Sequence, residues 1–223
     1  MPANIALVLD SSNSTASTNR TVQEAARRLV RKLRAGDLAQ IVDFDSRFTV
    51  LQPFTDDSTK LEAAIGKLAV GGSSSLFNAV YIMLRDFRTA PAKRRHLMIV
   101  ISDGEDTSSM LSLEEVLGRL RHSSATIYMI RVPSTDPRAR RDNTMVMQML
   151  AKESGGQALT AYSERDLDKI VDAISGDLAN QYSLEFTPGQ TASNRALHRL
   201  VVRVSRANAT VRARLSYDAS PSR

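Results

Sequence analysis

Along the first 180 residues, short apolar runs alternate with stretches whose apolar positions recur every three or four residues. Ile5-Ala6-Leu7-Val8-Leu9, His96 to Ile101 and Ala125 to Val132 are near-continuous apolar runs, the pattern of strands covered on both faces. Between Thr21 and Leu33, Val22, Ala25, Ala26, Leu29, Val30 and Leu33 fall on one helical stripe, and Gly36-Asp37 stops it. Leu38 to Asp45 and Arg47 to Gln52 read as an antiparallel pair of strands joined by a tight turn at Asp45-Ser46. Further helices are predicted from a Thr55 or Asp57 cap to Leu68, from Leu76 to Phe87, from a Ser112 cap with Glu114 or Glu115 in its first turn, from Asp142 to Ser154, and from Ser163 to Asn180. Gly71-Gly72 and Gly155-Gly156 end the helices before them, and Gln157 to Ala161 adds a short strand.

This alternation predicts an α/β fold: a Rossmann-like, doubly wound, mostly parallel sheet with one antiparallel edge strand and helices on both faces. The tail departs from it. Tyr182 to Phe186, Leu200 to Ser205 and Val211 to Tyr217 read as strands without intervening helices, with a hairpin turn at Ala207-Asn208-Ala209. In the last of them Val211, Ala213, Leu215 and Tyr217 alternate with Arg212, Arg214 and Ser216, which predicts one apolar face. The expected organisation is a main domain over residues 1–180 and a short C-terminal β extension over residues 181–223, packed on it.

Composition narrows the chemistry. The 223 residues include no cysteine, which excludes disulfides, thiolate metal sites and cysteine nucleophiles. The three histidines, His96, His122 and His198, lack ligand-like spacing. Tryptophan is absent and aromatics are 5%, too few for stacking platforms that hold single-stranded nucleic acid. The 30 basic and 24 acidic residues give a net charge of +6, but Arg27, Arg28, Arg31, Lys32 and Arg34, Lys93 to Arg95, and Arg138 to Arg141 are dispersed and read first as solvated faces. No apolar run approaches the ~20 residues needed to span a bilayer. Met1-Pro2 leads into an apolar run too short for a signal core, so any targeting segment is expected elsewhere in a larger protein.

In an open parallel sheet, ligands bind beyond the carboxyl ends of the strands. After the first buried strand comes Asp10-Ser11-Ser12-Asn13-Ser14, and after the strand ending at Ile101 comes Ser102-Asp103-Gly104-Glu105-Asp106. The loop Gly72-Ser73-Ser74-Ser75 enters a helix between them. Two carboxylates and several hydroxyls, all hard oxygen donors, suit magnesium, manganese or calcium rather than zinc or copper. The spacing Asp10, Ser12, Ser14 lets every second side chain of a curling loop point inward, and Asn13 is expected to tolerate a positive φ there. Turns and helix caps are the competing explanation for the same residues. Placement of both aspartates directly after buried strands favours the metal.

These residues resemble the metal-ion-dependent adhesion site of von Willebrand factor type A domains, over residues 3–180. The family's Asp-x-Ser-x-Ser stands as Asp10, Ser12 and Ser14, its threonine as Ser74 with Ser73 the alternative register, and its Asp-Gly as Asp103-Gly104. Ile-Ser-Asp-Gly-Glu-Asp-Thr-Ser-Ser, Val42-Asp43-Phe44-Asp45 and the tail resemble the bacterial branch, in particular type A-related domains of Acidobacteria. Asn13-Ser14-Thr15 stands where Gly-Ser-Met is usual, and serine replaces threonine at position 74. Both departures keep the oxygen ligand.

The resemblance implies that Ser12, Ser14 and Ser74 ligate Mg²⁺, that Asp10 and Asp103 do so directly or through water, and that Ser11, Asn13, Ser73 and Glu105 form a ligand-binding rim. It implies a non-enzymatic interaction domain that receives an Asp or Glu carboxylate from a protein partner on the open coordination position. Sliding of the last helix, Ser163 to Asn180, would adjust affinity. The expected setting is extracellular, periplasmic or cell-surface, as part of a larger protein, with the cytoplasm as the alternative; neither nucleic-acid partners nor membrane insertion are expected. A magnesium-dependent phosphoryl-transfer or hydrolytic enzyme is the first alternative, weakened by the absence of a phosphate-cradling Gly-x-x-x-x-Gly-Lys loop and of a histidine near either aspartate in sequence. A nucleic-acid-binding domain is the second.

Overall fold

The computed structural model describes residues 1–91, 93–133, 144–182, 184, 197–206, 208 and 210–218. Apolar runs become the strands β1 (Ala3–Asp10), β4 (Arg95–Ser102) and β5 (Thr126–Arg131), and the amphipathic stretches become α1 (Asn19–Arg31), α2 (Ser58–Ile65), α3 (Leu76–Asp86), α4 (Leu113–Arg121), α5 (Thr144–Ser154) and α6 (Glu164–Asn180). The hairpin strands are β2 (Leu38–Phe44) and β3 (Phe48–Thr55), and β6 (Ala158–Thr160) completes a sheet of order β3-β2-β1-β4-β5-β6. Every pairing is parallel except β2 with β3 at the edge, as the alternation predicts.

Side chains alternate across each central strand, so the sheet feeds two cores. Leu7, Leu9, Ile99 and Ile130 pack under α1, α2 and α6, whereas Ala6, Val8, Val100 and Met129 pack under α3, α4 and α5. The first strand begins earlier than its apolar run because Asn4, fully buried, donates its amide to the Pro91 carbonyl at 2.8 Å. Asp37, which ends the first helical stretch, accepts the Ala3 N–H at 2.8 Å. Asp57 caps α2 by accepting from Thr59 N and Lys60 N, and Ser112 with Glu115 forms a capping box on α4. The second helix stops at Ile65, short of Leu68. The expected start of α5 at Asp142 lies outside the described residues.

The tail differs from expectation. Among the described residues only β7 (Leu197–Arg199) and β8 (Ser216–Asp218) pair there, antiparallel, with one further bond from Leu200 N to Leu215 O. Leu200 to Ser205 and most of Val211 to Tyr217 are therefore not strand. Asn208 takes φ +60, as a turn demands; its neighbours Ala207 and Ala209, and Ser183, Glu185 and Phe186 of the expected strand at 182–186, lie outside the described residues. The predicted apolar face is also overturned. Leu215 is 50% exposed, while Ser216 is buried and Arg214 half-buried. The reason is polar docking: Arg214 donates to the Leu120 carbonyl at 2.7 Å, Ser216 to Glu153, and Arg212 to Gln157 at 2.8 Å while pairing with Asp177. Gly155 lets the tail come this close, because a Cβ there would sit 2.8 Å from Arg214 N.

Candidate metal centre

β1 lies between β2 and β4, and the chain leaves it under one face through α1 but leaves β4 under the other through α4. Diverging loops open a crevice at the carboxyl ends of β1 and β4, where α/β sheets bind ligands. Asp10 ends β1 on one side of it, and Ser102 ends β4 on the other.

Three loops meet over this crevice. A short 3-10 turn over Asn13–Thr15 curls the first, held by Thr15 Oγ1 donating to the Ser12 carbonyl at 2.8 Å. Because the turn is right-handed, Asn13 does not adopt the positive φ expected of it. The second loop is fixed to the first by Asn13 N on the Gly72 carbonyl at 3.0 Å and Gly71 N on the Ser11 carbonyl at 2.9 Å. Gly72 has φ +72, and a Cβ there would approach Asp45 Oδ2 to 2.9 Å, so glycine is required twice over. The third loop is tied to the second by Thr107 N and Ser108 N, both on the Ser74 carbonyl at 2.9 Å.

Asp10 is fully buried and is the hub. Its Oδ1 accepts from Ser12 N at 2.9 Å and Ser12 Oγ at 2.5 Å; its Oδ2 accepts from Ser102 Oγ at 2.5 Å and Ser74 Oγ at 3.5 Å. The Ser12 and Ser14 hydroxyls lie 3.1 Å apart. Asp103, 4% exposed, receives the Glu105 N–H on Oδ1 at 2.9 Å, while its Oδ2 is buried with no hydrogen-bond partner among the described residues. Burial pushes the Asp10 carboxyl up to about 7; the bonds from Ser102 and Ser12 oppose this, and the Asp103 charge adds to it.

Asp10, Ser12, Ser14 and Ser74 are thus joined in one hydrogen-bonded cluster, and Asp103 is close enough for its charge to act on Asp10. Of the two registers in the glycine loop, Ser74 is 1% exposed and Ser73 exposed. The rim divides. Asn13 and Ser73 face solvent, and Glu105 is half-buried, its carbonyl accepting from Ser74 Oγ at 2.8 Å. Ser11, expected on the rim, is 1% exposed and turns behind the loop, its hydroxyl 3.4 Å from the Phe44 carbonyl.

Sequence reasoning missed Ser102, whose hydroxyl makes one of the two shortest bonds to Asp10 and also accepts the Gly104 N–H at 2.9 Å. The signal was a lone hydroxyl closing an otherwise apolar strand. It missed Thr107 as well, whose hydroxyl accepts from Ser74 N at 3.1 Å. Asp106 serves the scaffold, accepting from Phe77 N and Ser109 Oγ. No three His, Cys, Asp or Glu side chains cluster among the described residues; the donors gathered in this crevice are two carboxylates and hydroxyls. A buried carboxylate pair with an unpartnered oxygen, ringed by hydroxyls, fits a hard divalent ion.

No curated protein sequence matches the chain. Solved structures match its fold. A von Willebrand factor type A protein from Catenulispora acidiphila superposes with a TM-score of 0.66 at 16% identity, over 79% of this chain and 42% of that one. The conserved hypothetical protein BatB from Bacteroides thetaiotaomicron gives 0.65 at 18%, over 79% and 97%. The pilus adhesin SpaC from Lactobacillus rhamnosus GG, in its open conformation, gives 0.64 at 13%, over 79% and 30%. The chain therefore spans less than half of the first and third of these proteins. The sequence profile of the von Willebrand factor type A domain matches residues 4–174, and the chain belongs to that family.

Proposed function

We propose that this domain binds a protein partner by accepting a partner's Asp or Glu carboxylate on a divalent cation held by Asp10, Ser12, Ser14, Ser74 and Asp103. The observation that carries the proposal is Asp103 Oδ2, a buried carboxylate oxygen without a partner, whose charge acts on the fully buried Asp10. Two carboxylates sharing a dry crevice repel one another, and a cation between them removes that penalty. The ring of neutral hydroxyls supports Mg²⁺, with Mn²⁺ or Ca²⁺ as alternatives, and leaves charge on the ion for an external carboxylate to satisfy. The exposed Asn13 and Ser73 would meet the partner at the rim, with Glu105 beside them.

A non-enzymatic role is supported by the positions of the histidines. His96 is the second residue of β4, at the end away from Asp103, and stacks on Phe87 at 4.8 Å; His122 caps the far end of α4; His198 stacks on Tyr217 in the tail. None is placed to act as a base for Ser12 or for a water in the crevice. The nucleic-acid alternative is weakened because three cations at the end of α1 are paired: Arg28 with Asp168, Arg31 with Glu62 and Lys32 with Asp172.

Residues 1–180 form the binding module, and residues 181–223 an appendage to it, of which Arg212, Arg214 and Ser216 bond to its helices and their ends. The likeness to a pilus adhesin of which the chain spans 30% supports a module of a larger extracellular or cell-surface protein. No described helix is long and apolar enough to cross a membrane. The test is capture on a glycine-serine peptide carrying one aspartate. Retention with Mg²⁺, loss with EDTA and loss in Asp10→Ala are expected; retention indifferent to EDTA would contradict the reading.

A further inference from the structure

A second recess lies at the opposite end of the sheet. Helices α4 and α5 run back from the carboxyl edge, so their last turns, with Arg121 and Glu153, sit beside the amino end of β5; Ser154 Oγ accepts the Ile127 N–H there at 2.8 Å. The tail roofs these turns and leaves a cleft of about 540 Å³, lined by Arg121, Glu153, Arg199, Val201, Arg214 and Leu215 among others. That volume falls within the range of ligand-binding pockets, roughly 300–1,000 Å³.

Its charge is unbalanced. Glu153 pairs with Arg121 at 3.1 Å and accepts from the Ser216 hydroxyl, so three arginines, Arg121, Arg199 and Arg214, share this one carboxylate in the lining. Arg214 Nε is buried with no hydrogen-bond partner among the described residues, and burial lowers the guanidinium's pKa below its ordinary value, with Glu153 opposing. The aliphatic wall is equally unfinished: Val201 is 59% and Leu215 50% exposed, and Val204 continues the strip at 52%. Beyond the Leu200–Leu215 bond, residues 201–204 pair with no strand among the described residues. A row of exposed aliphatic side chains beside a surplus of cations describes a site for an extended chain rather than for a compact small molecule.

We infer that the cleft between the tail and the last turns of α4 and α5 binds an extended peptide segment of a partner protein, alternating aliphatic and acidic residues, beside Val201–Val204. Its carboxylates meet Arg199 and Arg214, and its aliphatic side chains cover Val201 and Leu215. The site is independent of the divalent cation, because it lies at the other end of the strands from Asp10 and Asp103.

The test is fluorescence anisotropy of the full chain in EDTA with a labelled, acetylated hexapeptide alternating valine and glutamate. Saturable binding is expected, with at least about a tenfold loss in Arg199→Glu, since reversing a charge at a recognition surface both removes attraction and adds repulsion. Val201→Asp, also exposed and harmless to folding, should lose binding comparably. The Val-Lys counterpart peptide should not bind. Absence of saturation into the millimolar range, equal binding of the acidic and basic peptides, or an unchanged affinity in Arg199→Glu would overturn the inference. So would binding that appears only with Mg²⁺, because the peptide would then sit at the metal loops; failure in EDTA leaves the reading of those loops untouched.

Discussion

The two ends of the sheet treat polar residues in opposite ways. At the carboxyl end, Asp10, Ser12, Ser74 and Ser102 are buried and bonded to one another, beside the buried Asp103. At the amino end, the tail turns Arg214 and Ser216 inward and leaves Leu215 and Val201 in water. The first arrangement concentrates polarity where the scaffold can force it into a dry crevice. The second shows a segment held by individual bonds to helix ends, with too little apolar surface to form a core of its own. Burial of polar groups therefore gathers oxygen donors in a crevice at one end and fastens a docked segment at the other.

The largest expected effect measures this contrast directly. Leu7→Ala, at a position 1% exposed in the central strand, should lower unfolding free energy by about 2–5 kcal/mol, whereas Leu215→Ala should change it by less than about 0.5 kcal/mol. Urea unfolding of both variants decides it; similar losses would mean that the tail belongs to the cooperative core.

A second effect is specific to the carboxyl end. The Asp10 carboxyl is pushed from its ordinary 3.8 to about 7, with burial the main cause. The folded state thus holds this proton more tightly than the unfolded chain does. Its contribution to stability is most favourable below about pH 4 and is lost as pH rises to about 7, by on the order of 4 kcal/mol without divalent ion. Thermal unfolding between those limits should show the decline in EDTA, and Mg²⁺ should flatten it by favouring the ionised carboxylates. A pH profile unaffected by Mg²⁺ would separate Asp10 from any ion.

The smallest effect concerns the tail's attachment. Arg212→Ala removes a partly exposed pair with Asp177 and a bond to Gln157, and should cost at most about 1 kcal/mol globally. Limited proteolysis should nevertheless reach the tail faster, because few bonds hold it. An unchanged cleavage rate would mean that the remaining contacts suffice.

The contrast also marks what could be seen in the sequence. Strands β1, β4 and β5 were legible because burial on both faces demands continuous apolar runs, and Asp10 and Asp103 followed from their place after those runs. Ser74 over Ser73, the inward turn of Ser11 and the role of Ser102 were not legible, because they depend on how three loops dock and not on any periodicity. The alternation in Val211 to Tyr217 pointed to the wrong face. Alternation predicts burial only where apolar area decides the packing, and here the bonds of Arg212, Arg214 and Ser216 decide it.

The central claim is that the two carboxylates and the hydroxyls around them hold one divalent ion. Calorimetric titration of Mg²⁺ into EDTA-stripped protein tests it most directly, comparing wild type with Asp103→Asn, which keeps the side chain's shape. Saturation at one ion per chain is expected, weakened at least about tenfold in the variant while its unfolding transition persists. Equal binding by the two proteins, or no heat and no thermal shift with Mg²⁺, Mn²⁺ or Ca²⁺, would contradict it.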